Sequence, residues 1–166
     1  MTITLPDRFT HTFREEHRVV RDLLLDLIAA FQQRDLELAG TLLGAMADRT
    51  GPHFRYEEES LYPSLVQIFG EAYVGKLLDD HDGAIRSAHR LVDIVTAGDA
   101  DDATLEEAQD LVRGILPHVS DCDGLSIFVE RLPDNEIEEI FRARDRARLD
   151  ALSLLVWAST VRGREL

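Results

Sequence analysis

Apolar residues recur along this chain at spacings of three and four, the pattern of amphipathic helices rather than strands. From Phe13 to Phe31, after a short arm holding Pro6, Val20, Leu24, Leu27, Ile28 and Phe31 share one face with His17. The polar break QQRD leads to a second helix from Leu36, with a stripe through Ala39, Leu42, Leu43, Met46, His53, Glu57 and Leu61. Thr50-Gly51-Pro52 predicts a bend in it, because Pro52 lacks a backbone donor, and Pro63 and Gly70 bracket its end. A third helix is expected from about Glu71 to Val95, with Leu77, Leu78, His81, Ala84, Ile85, Ala88 and Leu91 on its apolar side. Thr104 to Glu107 reads as a capping box opening a fourth helix through Leu111, Ile115, Leu116 and His118, which Pro117 should kink. Asn135 to Glu138 reads as a second capping box, opening a fifth segment through Ile140, Phe141, Leu149, Leu152, Leu155 and Val156.

No strand-like alternation survives anywhere, so the fold class is all-α. Four helices with short connections predict an up-down-up-down four-helix bundle. The expectation is one domain over 1–166, with the bundle core at about 10–130 and an additional C-terminal helical segment at about 134–160. Leu149, Leu152, Leu155, Val156 and the single Trp157 form an apolar stripe beyond the four helices. Left uncovered it would make a sizeable patch, so it should pack across the bundle or against a second chain as a homodimer.

Composition narrows the function classes. A length of 166 residues suits one domain with a proper core. A net charge of -14 argues against nucleic acid or an anionic membrane as partner. The single Cys122 excludes an internal disulfide and a cysteine-based zinc finger, and it fits a reducing compartment. No signal-like apolar stretch opens the chain, and the longest nearly apolar run, Ala151 to Val161, is too short to span a bilayer. The expectation is a soluble, cytoplasmic protein.

The histidines carry the candidate chemistry. Each of the four helices places one on its apolar stripe: His17, His53, His81 and His118. His53 and Glu57, four apart, stand one above the other on a helix. Asp123 follows five residues after His118. Burying four imidazoles and two carboxylates is costly without compensating bonds, and metal coordination supplies them. His11 and His89 lie off the stripes and are not expected to ligate. Glu58 and Glu59 read as solvated, with Glu58 also placed to back a ligand.

The order His17, His53-x-x-x-Glu57, His81, His118-x-x-x-x-Asp123, with the run HFRYEEESLYP around the second motif, resembles the hemerythrin-like (HHE cation-binding) family. The resemblance covers roughly residues 10–130. It implies two iron ions in a non-haem, oxo- or hydroxo-bridged centre. His17, His53, His81 and His118 would be terminal ligands, and Glu57 and Asp123 would be bridging carboxylates. It further implies binding of, or reaction with, dioxygen, hydrogen peroxide or nitric oxide. An iron or oxygen sensor without turnover, or a role in iron–sulfur cluster repair, is the alternative. Two departures stand out. True hemerythrins carry a further histidine four residues after the one matching His81, where this chain has Ile85. The position four after His118, glutamate in many relatives, is Cys122. A regular helix would aim Cys122 along the His118 face and turn Asp123 aside by about 140°, unless the Pro117 kink brings it round. Asp123 is the expected ligand, with Cys122 its competitor.

Overall fold

Thr4 begins the first helix, its side chain accepting a hydrogen bond from the Asp7 N–H, with Pro6 in the first turn where a missing donor costs nothing. The stretch expected to be an arm is therefore helical, and α1 spans Leu5–Gln32. The computed structural model describes residues 3–162, and these contain helices and connections but no strand. After α1 come α2 (Leu36–Tyr56), a π-helical turn (Glu57–Leu61), α3 (Tyr62–Phe69), α4 (Glu71–Ala97) and α5 (Asp102–Leu125). A 3-10 turn (Ser126–Arg131), α6 (Asp134–Asp150) and α7 (Leu154–Val161) follow. Neighbouring pairs α1–α2, α2–α4, α4–α5 and α5–α1 pack together, which closes the expected four-helix ring.

Several local expectations shift. Pro52 sits inside an unbroken α2, and the irregularity falls five residues later, at Glu57–Leu61. Pro63 offers a physical reason: it has no N–H to give and its ring crowds the carbonyl four residues back, so the preceding turn widens. The Tyr62 N–H accordingly bonds to the Glu57 carbonyl, five residues away. The N-cap of α5 is Asp101, whose side chain accepts from the Thr104 N–H, rather than Thr104 itself. α6 begins at Asp134 behind Pro133, with no side-chain cap, instead of at an Asn135 box.

The apolar interior divides in two. One cluster gathers Leu24, Phe31, Leu43, Met46, Ile85, Leu91 and Ile115, and the other gathers Phe9, Phe13, Tyr56, Tyr62, Leu77 and Leu125. Between them lies a layer of buried polar side chains, namely His17, His53, Glu57, His81 and His118.

The C-terminal segment consists of two helices, not one. Ala151, in the left-handed region at φ 50°, ends α6, and the chain turns back as α7. α6 lies on α1, α2 and the π turn, and α7 on α2 and α4. Leu154, Trp157 and Ala158 are buried there, so the segment does pack across the bundle. Leu149 and Val156, expected in the covered stripe, are instead 84% and 52% exposed. What permits the crossing is Gly51. A Cβ at that position would stand 2.1 Å from the Leu152 carbonyl oxygen and 2.7 Å from the Leu154 amide nitrogen.

Gly51→Ala must therefore push the α6–α7 connection off α2. The expected cost is about 1–3 kcal/mol, the usual penalty of overpacking. Thermal unfolding and the emission of Trp157 check it: a lower melting temperature and a red-shifted emission are expected. Unchanged values of both would mean the backbones do not approach this closely.

Candidate metal centre

The polar layer forms because four helices each turn one imidazole inward at the same level. His17 comes from α1, His53 from α2, His81 from α4 and His118 from α5, all buried. Glu57 opens the π turn and is 0% exposed. Its Oε1 stands 3.4 Å from His53 Nε2 and its Oε2 stands 3.1 Å from His81 Nε2. His17 Nε2 lies 3.0 Å from His53 Nε2. Neither Glu57 oxygen has a partner in hydrogen-bonding geometry. A fully buried carboxylate with both oxygens in that condition is costly unless a cation meets them.

Two donor groups close enough to hold a metal share this carboxylate. One comprises His17, Glu57 and Cys122, and the other Glu57, His81 and His118. His53 adjoins the first through its Nε2 contacts. A donor set of imidazole nitrogen and carboxylate oxygen, with one cysteine sulfur in the first group, fits a divalent transition cation.

Asp123 and Cys122 stand as a regular helix dictates. Cys122 is buried, with its Sγ 3.5 Å from His118 Nε2 and 3.6 Å from the Tyr62 hydroxyl. Asp123 turns away from the two groups, and its Oδ1 meets His17 Nδ1 at 3.0 Å. α5 continues through Pro117 without bringing Asp123 round. His11 and His89 are exposed, clear of the centre.

Behind each inward imidazole stands a carboxylate on the Nδ1 side. Asp123 serves His17, Glu16 serves His53 at 2.9 Å and Glu58 serves His81 at 2.8 Å. Asp80 stands 3.8 Å behind His118, too far for a direct hydrogen bond. Such partners fix which ring nitrogen keeps its proton and how the ring is aimed. Glu16, Asp80 and Tyr62 escaped the sequence reading, because each partnership runs between helices. Glu16 and Asp80 do each immediately precede an inward histidine, and that adjacency is the only trace they leave.

The electrostatics follow from these contacts. Burial opposes charge on His53, but Glu57 and Glu16 outweigh it and hold the imidazole up at about 10. Burial would raise Glu57, yet His53 and His81 keep it well below the ordinary carboxylate range. His118 is pushed down to about 4 by burial and by the neighbouring His81. At neutral pH the metal-free centre thus holds a proton on His53 that a metal must displace. Metal affinity is expected to rise with pH up to about 10, and loading should release protons. Calorimetric titration in two buffers of different ionisation enthalpy checks this, and identical enthalpies in both would contradict it.

Residues 8–125 match the family model described as the hemerythrin HHE cation binding domain. No match was found among curated proteins or among solved structures. The matched span runs from α1 to the end of α5 and contains all four inward histidines, Glu57 and Cys122. With the buried donor layer between its four bundle helices, the chain belongs to the hemerythrin HHE cation-binding domain family.

Proposed function

We propose that this chain holds two iron ions and binds or reacts with a small oxidant, namely dioxygen, hydrogen peroxide or nitric oxide. The observation that carries the reading is the divided Glu57 carboxylate, with one oxygen toward His53 and the other toward His81. A carboxylate common to two donor groups is the arrangement a bridging ligand needs. In this reading His17 and His53 hold one ion, His81 and His118 the other, and Glu57 spans them. Cys122 takes the sixth place, where Asp123 was expected, and Asp123 acts through His17. Iron bound in such a set supplies a redox-active Lewis acid with room for a small molecule.

The surrounding residues suit small, uncharged reactants. A narrow apolar cavity reaches His17, His53 and His118 past Val20, Met46 and Ala88, which keeps bulk water from that side. Ile85, fully buried one turn after His81, offers no donor where a further imidazole would reach the same ion. The Tyr62 hydroxyl stands 3.0 Å from His81 Nε2, on the side where that ion would sit, so it is placed to give a proton to a small molecule bound beside the ion. With a net charge of -14 the partners are small molecules, not nucleic acid. Among the described residues no helix is long and apolar enough to cross a membrane.

Elemental analysis of protein purified without a histidine tag should give two irons per chain. Glu57→Ala should lose most of the metal and Cys122→Ala part of it, while His11→Ala and His89→Ala keep it. One metal per chain, or mainly zinc, would sink the di-iron reading.

Ile85 supports a second expectation. With a ligand position left open, reduced protein should oxidise quickly on mixing with oxygen instead of binding it reversibly. Ile85→His should slow that oxidation by filling the position. Stopped-flow spectra decide it, and stable, reversible oxygen binding by the wild type would contradict the role given to Ile85.

A further inference from the structure

The helices that lie beyond the family match reach back to the metal centre. α6 and α7 follow residue 125, where the match ends, yet both bring arginines to carboxylates that back inward histidines, and on α6 the exposed Arg148 stands 3.8 Å from Glu16 Oε1 outside the closer Arg144. Arg144, on α6, gives Nε to Glu16 Oε1 at 2.7 Å, and its Nη2 stands 2.6 Å from the same oxygen. The other oxygen of Glu16 receives the Tyr56 hydroxyl at 2.8 Å and meets His53 Nδ1 at 2.9 Å. Arg162, which ends α7, gives Nη2 to Glu58 Oε1 at 2.6 Å and Nε to Asp82 Oδ1 at 2.5 Å. The same Glu58 oxygen meets His81 Nδ1 at 2.8 Å.

Low exposure on both sides of the contact sets these two arginines apart. Arg144 and Arg162 side chains are each 14% exposed and meet Glu16 and Glu58 at 23% and 16%, whereas Arg55, at 19%, meets only the exposed Glu59 and Asp150. Arg144 sets two nitrogens on one oxygen of Glu16, and Arg162 joins Glu58 to Asp82; such charge-assisted contacts to partly buried carboxylates are directional and costly to lose, unlike a solvated ion pair. The two contacts also divide evenly over the centre. One backs His53, beside His17 and the first donor group, and the other backs His81, in the second. The backbone crossing at Gly51 lies two residues from His53 and anchors the connection between the two helices that carry them.

We propose that Arg144 and Arg162 are positioning residues for the metal centre: through Glu16 and Glu58 they fix the aim and protonated nitrogen of His53 and His81, one arginine for each metal. The inference rests on the reading that these histidines bind metal. It makes the C-terminal helices part of the site and not a separate appendage. Removing an arginine frees its carboxylate to turn toward water, and the imidazole in front of it loses its fixed orientation.

The test measures cobalt(II) affinity of the full-length protein by chelator competition, beside the thermal unfolding of the metal-free form. Arg144→Met and Arg162→Met should each weaken cobalt binding by up to about 10-fold, the lower end of the usual effect of losing a metal ligand's own partner, since each arginine acts one contact further out. Arg144→Lys, which keeps the charge without the paired nitrogens, should fall between. In a Glu16→Gln background, Arg144→Met should add little further loss, because its action passes through Glu16. Lower melting with unchanged cobalt affinity in both arginine variants would overturn the proposal, since that is the signature of a merely structural role. Fully additive losses in the Glu16→Gln background would overturn the route through Glu16. Failure of the wild type to bind cobalt or iron at all would instead remove the metal reading on which the proposal stands.

Discussion

The burial of one carboxylate governs the rest of this structure. Glu57 is wholly enclosed at the middle of a four-helix bundle, with no hydrogen-bonding partner for either oxygen. An ionised group in that position is tolerated only if positive charge or a metal meets it. Four imidazoles at one level answer that need, and they divide the hydrophobic interior into an upper and a lower cluster. The π turn beginning at Glu57 belongs to the same solution. Its extra width shifts the register between α2 and α3, so that Glu57 and Tyr62 both face inward. Wide turns of this kind are found disproportionately at functional sites.

A second layer passes around the bundle in one direction. α1 gives Glu16 to His53 on α2, and the π turn gives Glu58 to His81 on α4. α4 sets Asp80 toward His118 on α5, and α5 returns Asp123 to His17 on α1. Each carboxylate sits next in sequence to an inward donor and faces the following helix. Aim of the inner ring is thus coupled to helix packing: a helix that rotates disturbs its own donor and its neighbour's support. The arginine contacts from α6 and α7 brace two members of this ring from outside.

Helical periodicity made the bundle and its inward histidines legible, because a residue's place on a stripe is a property of its own helix. His17, His53, His81 and His118 all fall where the three-and-four spacing puts them, and Glu57 with them. Cys122 and Asp123 show how far that logic reaches. The regular turn aims Cys122 inward, and the kink invoked to reverse it does not do so. What lay hidden depends on contacts between elements. Asp101 rather than Thr104 caps α5, Ala151 breaks the last segment in two, and Arg144 and Arg162 find carboxylates 128 and 104 residues away. Nothing in a single helix's pattern announces such pairs. Gly51 is intermediate: its composition signalled something unusual, but the event is a backbone crossing and not a bend.

The central claim is that Glu57 joins two metal ions. X-ray absorption at the iron edge of the loaded protein addresses it most directly, since it reads the neighbours of the iron itself. The account predicts a second iron at a distance of about 3.5–4 Å or somewhat less, as in two-metal sites bridged by a carboxylate, with nitrogen, oxygen and the Cys122 sulfur in the nearest shell. A spectrum with no iron neighbour in the fully loaded protein would contradict it.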